Sequence, residues 1–101
     1  MIGFTYTKDE LVEEYHMSVD AAGAFLKLQA AGCPVKIWDG HDRGHFWIDA
    51  EEPEAEGWLD YWSTSMMWGS IKLNDILSDH DLYFEWCNSA YACVYDTEAY
   101  P

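Results

Sequence analysis

Apolar side chains recur along residues 6–31 at the spacing of two short helices. Thr7, Lys8, Asp9 and Glu10 form a capping-box pattern, with Thr7 as N-cap, Glu10 at N3, and Tyr6 and Leu11 placed as a hydrophobic staple. The pattern predicts a helix over Lys8–His16. At about 100° per residue, Asp9, Glu10, Glu13 and Glu14 fall on one side of it and Leu11, Val12 and Tyr15 on the other. Ser18 is the next N-cap, and a second helix over Val19–Ala31 turns Val19, Ala22, Phe25 and Leu26 to one side before Gly32 and Pro34 stop it. The period then changes to two. Val35–Trp38 and His45–Asp49 alternate around Asp39-Gly40-His41-Asp42-Arg43-Gly44, which predicts a hairpin over 35–49.

The segment 49–57 holds Asp49, Glu51, Glu52, Glu54 and Glu56 around Pro53 and reads as an exposed acidic connection. Trp58–Trp62 fits a strand or a short helix equally well. Ser63–Gly69 is expected to be a loop that buries Met66, Met67 or Trp68. A third helix is predicted over 70–81, with Leu73, Ile76, Leu77 and His80 on one face and Asp75 and Asp79 on the other. Leu82–Cys87 and Tyr91–Asp96 then make a second hairpin, 82–96, across Asn88-Ser89-Ala90. The fold class is therefore α+β, a single small domain over 1–101 with about three helices packed on antiparallel hairpins. The order helix, hairpin, helix, hairpin hints at a duplicated unit.

Composition changes this picture in one respect. Net charge is −14 over 101 residues, yet half the chain is hydrophobic and six Trp, seven Tyr and four Phe are present. So many aromatics can build a core, which places the acidity on the outside of a folded body rather than in a disordered tail. Solubility alone asks for a net charge of about 2–8 in a small domain. Duplex DNA carries one charge per about 1.7 Å of axis, so this charge matches roughly 24 Å of duplex. A domain of this length is somewhat over 30 Å across on a radius of gyration of about 13 Å, a comparable charge density. The expected partner is a basic protein surface.

Cys33, Cys87 and Cys93 form no CxxC and cannot all pair within one chain, so free buried thiols in a reducing cytoplasm are expected. Met1–Lys8 lacks the basic and apolar regions of an export signal, and no apolar run is long enough to span a membrane.

The carboxylates are the strongest constellation. Asp9/Glu13, Glu10/Glu14 and Asp75/Asp79 are like-charge pairs at i,i+4, each destabilising an isolated helix by about 0.2–0.5 kcal/mol. General composition bias accounts for such pairs at one extreme; selection for a basic partner, with charge steering the encounter, accounts for them at the other. Trp38, Trp58, Tyr61 and Trp62 lie beside the acidic segments and are the candidate aromatic anchors. His41 and His45, with Asp39 and Asp42, have a spacing compatible with two zinc ligands. They need Cys33, Cys87, Cys93 or His80 to complete a site, and a polar turn is the simpler reading, so no metal or other cofactor is expected. The nucleophile-elbow, phosphate-loop, dinucleotide and HExxH patterns are absent, and an enzyme is not expected.

Residues 5–48, two short helices followed by strands, resemble a winged helix-turn-helix. The second helix offers only Lys27 as a cation, however, with Asp20 near its start, which argues against reading DNA. In size and acidity the whole chain resembles the small acidic inhibitors of phages and mobile elements, the anti-CRISPR and antirestriction proteins, many of them DNA mimics. That resemblance implies a cytoplasmic protein of the bacterial host cell whose target is a CRISPR surveillance complex, a Cas nuclease or a restriction enzyme. It implies no direct binding of nucleic acid or membrane, and contact through Asp9, Glu10, Glu13, Glu14, Glu51, Glu52, Glu54, Glu56, Asp75 and Asp79. An immunity protein that neutralises a nuclease toxin shares these features, and a metal-binding or regulatory domain built on the 39–45 loop is the reading from another class.

Overall fold

The computed structural model describes residues 6–37 and 46–97, in the order α1 (Lys8–Glu13), α2 (Val19–Ala30), β1 (Val35–Ile37), β2 (Phe46–Asp49), a single 3-10 turn (Pro53–Ala55), α3 (Ile71–Asp79), β3 (Leu82–Trp86) and β4 (Tyr91–Asp96). Each helix starts where its sequence says it should. Thr7 and Glu10 exchange both capping-box hydrogen bonds, and Ser18 and Ser70 accept from the backbone N–H groups of Ala21 and Leu73. The stop of α2 is a Schellman motif: Gly32, at φ 97°, donates to Gln29 O while Cys33 donates to Leu28 O.

The strands form one antiparallel sheet in the order β1-β2-β4-β3. Its register places Val35 and Ile37, Phe46 and Ile48, Ala92 and Val94, and Leu82, Phe84 and Trp86 on one face. The helices cover that face. Phe25 of α2 meets Phe46 edge-on at 5.3 Å, and Leu73, Ile76 and Leu77 bring α3 into the same core with Leu11 of α1. The opposite face carries Lys36, Trp47, Asp49, Tyr83, Glu85, Tyr91, Cys93 and Tyr95 by the same alternation. β2 and β4 pair antiparallel at the centre, and each is preceded by its own hairpin partner and helix, so the order α2-β1-β2 repeats as α3-β3-β4. The duplicated order expected from the sequence is thus present in the topology.

Several expectations need correction. Helix α1 stops at Glu13 rather than His16, because His16 takes φ 60° and the chain turns back, Met17 N–H donating to Leu11 O. Val19 sits at the first position of α2 and is exposed, whereas Ala21, Ala24 and Leu28 join Ala22 and Phe25 in the core. Residues 58–62 are neither strand nor helix but turn. Met66 and Met67 are half-buried and Trp68 is exposed, so the 63–69 loop contributes none of them to the core. Cys87 and Cys93 are joined in a disulfide across the β3–β4 hairpin, leaving only Cys33 as a buried free thiol. That pairing also removes two of the three free thiols on which the expected reducing compartment rests. Among the described residues, no helix is long and apolar enough to cross a membrane.

Candidate interaction surface

All Asp and Glu side chains except Asp39, Asp42 and Glu98 lie among the described residues, and none of those is buried. Between described residues there is one ion pair, Lys36 to Glu52 at 3.3 Å, with both side chains about two-fifths exposed. A pair that open contributes no more than about 1 kcal/mol. With 19 Asp and Glu against five Lys and Arg, most carboxylates have no cation within the chain to pair with.

They do not form one patch. Asp49 donates its N–H to Pro34 O and Ala50 donates to Ala90 O, so the 49–56 segment leaves the sheet at the end where Trp86 and Tyr91 also lie. Pro53 sets up the 3-10 turn there, Ala55 plugs into the core, and Glu51, Glu54 and Glu56 are left exposed. At the other end of the strands, Thr97 N–H donates to Asp81 O and Ser18 Oγ donates to Asp96 at 3.4 Å, which gathers Asp79, Asp81 and Asp96 near the start of α2. Strands of five and six residues separate the two groups by roughly 17–20 Å. Helix α1 packs on α2, with Lys8 Nζ and the His80 ring both close to Gly23. Asp9, Glu13 and Glu14 are exposed to solvent. Glu10 is exposed too, but its carboxylate accepts from the Thr7 N–H at 3.0 Å and so belongs partly to the helix cap. Asp75 is exposed midway along α3, with Asp79 in its last turn.

The aromatic candidates divide more sharply. Trp58 is only 6% exposed and is a core residue, which overturns its expected role as an anchor. Its ring lies in the buried cluster with Leu59 and Leu73, and Lys72 Nζ sits 4.3 Å above its centroid. Trp38 lies outside the described residues, as do His41, His45, Asp39 and Asp42 of the proposed metal loop. Cys87 and Cys93, offered as additional ligands to that loop, are occupied by their disulfide. Among the described residues, no three His, Cys, Asp or Glu side chains come together as a metal site.

Tyr61 and Trp62 do reach the surface, and the structure adds residues that the periodicity did not select. Residues 58–70 form a compact loop of the Ω type, closed by Ser70 N–H to Trp58 O at 2.8 Å. Internal bonds from Asp60 N–H to Met66 O, Met67 N–H to Ser63 O and Gly69 N–H to Met66 O hold its shape. Trp86 Nε1 donates to Met67 O at 2.6 Å and Asn74 Nδ2 donates to Trp68 O at 2.9 Å, fixing the loop to β3 and α3. The loop presents Trp62 at 80% and Trp68 at 75% exposure, and Ile71 on the first turn of α3 is 81% exposed. Tyr61 packs edge-on against both Trp62 and Trp86, and Trp86 against Phe84. A helical wheel would have found Ile71, which lies about 200° around the helix from Leu73. Trp68 had no such signal, because its exposure is set by the loop's internal hydrogen bonds.

The 49–70 segment therefore places the densest run of acids at one end of the sheet, followed by the loop that carries the most exposed Trp side chains among the described residues. Burial pushes the Cys33 thiol up to about 12, with Lys72 opposing the shift, so this thiol is a packing group rather than a nucleophile at neutral pH. No family model, curated protein or solved structure matches the chain.

Proposed function

We propose that this protein is a stoichiometric, non-enzymatic inhibitor whose acidic surface occupies the basic nucleic-acid-binding groove of a CRISPR effector or another defence nuclease. One observation carries the reading: the described carboxylates are all outside the core, and a single ion pair between described residues neutralises one of them. A surface that keeps this much uncompensated charge against its own repulsion gains in encounter rate with a cationic groove. The separation of the 49–56 acids from the Asp79–Asp96 group is compatible with a groove contacted at two places along its length. In this reading the protein acts in the cytoplasm of the bacterial host, without cofactor, and binds neither nucleic acid nor membrane. The cytoplasm keeps most thiols reduced, so the β3–β4 hairpin must hold its register as a dithiol, which its five paired positions favour.

The test is titration of purified protein into CRISPR surveillance complexes, Cas nucleases and restriction enzymes while binding of their DNA is followed. Loss of DNA binding at a one-to-one ratio in at least one of them is expected. DNA binding unchanged throughout the panel, at low salt and excess protein, overturns the proposal.

A further inference from the structure

Between the Ω-type loop and the sheet edge lies an open groove, two overlapping hollows of about 410 and 390 Å³ that share Trp68, Tyr83, Phe84 and Glu85. Asn74 and Trp86 complete one hollow and Thr97 the other. The groove follows β3, the sheet's edge strand, so it has Phe84 and Trp86 from the core-side face and Tyr83 and Glu85 from the opposite one. Its walls are aromatic. Gly69, at φ 85°, lets the loop approach this closely, since a Cβ there would stand 2.8 Å from Phe84 and 2.9 Å from Asn74 Nδ2.

The polar groups of the groove are mostly engaged as donors. Trp86 Nε1 donates to Met67 O, Asn74 Nδ2 to Trp68 O and Ser70 O, and the Thr97 hydroxyl to Asp81 O. Beside the Trp68 indole N–H and the Tyr83 hydroxyl, the side chains present two acceptors, the Glu85 carboxylate and Asn74 Oδ1. Among the described residues, Glu85 is the only charged side chain in the lining. Aromatic faces beside a carboxylate and a carbonyl oxygen suit a flat, donor-rich cation. The geometry points to this groove as the receptor for an arginine side chain of the basic partner, its guanidinium stacked on Trp68 and bonded to Glu85. The inference rests on the proposed function for the partner's basic character and names the residue that would anchor it. Charge complementarity selects this occupant over an apolar side chain, because an apolar one would leave the Glu85 carboxylate desolvated without a donor.

Two probes separate this inference from the broader reading. The first is N-acetyl-arginine methylamide against its uncharged citrulline counterpart at matched ionic strength, followed through the indole N–H signals in NMR spectra of the intact protein. The second is a ten-residue lysine peptide, followed at the backbone amides of residues 9–14 and 49–56. Saturable movement of the Trp68 and Trp86 signals with the arginine compound but not with citrulline is expected. Glu85→Gln should weaken it by about tenfold, as loss of a charge-assisted bond does, and Trp68→Ala should abolish it; both positions are exposed, so the fold is kept. Equal movement by citrulline, or none by arginine, overturns the groove assignment. If the lysine peptide still binds in that case, the acidic-surface reading survives alone. If the arginine compound binds and the lysine peptide does not, the groove stands and the broader reading falls.

Discussion

Helix α1 and the Ω-type loop are both at the surface, but they are built in opposite ways. The helix is six residues long, buries Leu11 alone and directs carboxylates outward. The loop is closed at its ends, bonded to α3 and β3, and directs two Trp side chains outward. A carboxylate on α1 acts over a Debye length of about 8–10 Å and tolerates small displacements. A Trp on the loop acts only in contact, where its position must be fixed beforehand, and the hydrogen bonds within the loop supply that fixity. The lesson is that, under the proposed function, the two regions divide recognition between them, one setting the rate of encounter and the other the lifetime of a complex.

The largest effect that sharpens this contrast separates two Trp residues four positions apart. Trp58→Ala should cost about 3–5 kcal/mol in urea unfolding because it empties a core site, whereas Trp62→Ala should change stability by no more than about 0.5 kcal/mol. Similar losses at both positions would dissolve the distinction between the core end and the exposed tip of the loop. Next comes the disulfide. Replacing Cys87 and Cys93 together with Ser should cost up to about 2 kcal/mol, the loop-entropy estimate for so short a closure. Chemical shifts of Leu82–Trp86 that remain those of a paired strand would show that the hairpin keeps its register without the bridge.

Helix α1 gives a smaller effect with a more telling sign. Glu13 and Glu14 occupy its C-terminal end, where the helix dipole favours cations, and Glu13 also faces Asp9 at i,i+4. Glu13→Lys with Glu14→Lys should therefore raise stability by a few tenths of a kcal/mol while slowing association with a basic partner. Glu10 is a poor choice for that experiment, since removing its carboxylate also breaks the capping box. Thr7→Ala, which removes the other half of the box, should cost about 1 kcal/mol. Unaltered association after the double reversal would exclude α1 from the contact surface.

The smallest effect concerns Cys33. Its thiol is held protonated in the folded protein up to about 12, against an ordinary value of 9.0, because burial disfavours the thiolate. The folded pKa of this acid is raised, so its contribution to stability is intact below about 9 and declines as pH rises from there toward 12. A thiol-reactive chromophore at pH 8 should label Cys33 only at the rate of global unfolding. Rapid labelling of the native protein would show that the site opens locally.

The sequence made the regular elements legible because local chemistry alone decides them. Thr7, Ser18 and Ser70 are N-caps, Gly32 is a stop, and period-two runs at 35–37, 46–49, 82–86 and 91–96 became the four strands. The surface was legible in part, since a carboxylate is exposed wherever it falls. What periodicity missed depends on tertiary closure. Trp58 and Trp68 look alike in sequence, and only the bond from Ser70 to Trp58, with the turn chain from Asp60 to Gly69, places one inside and the other out. The Cys87–Cys93 pairing was missed for a related reason: it follows from the β3–β4 register, not from a cysteine motif.

Under the proposed function, the acidic surface and a nucleic acid compete for the same cationic groove. The most direct measurement compares the affinity of the immobilised protein for a target effector with its groove empty and with the same effector already holding duplex DNA, at two salt concentrations. Competition predicts tight binding to the empty effector, weakening steeply as salt rises, and no binding to the occupied one. Equal affinity for both forms, insensitive to salt, would contradict it.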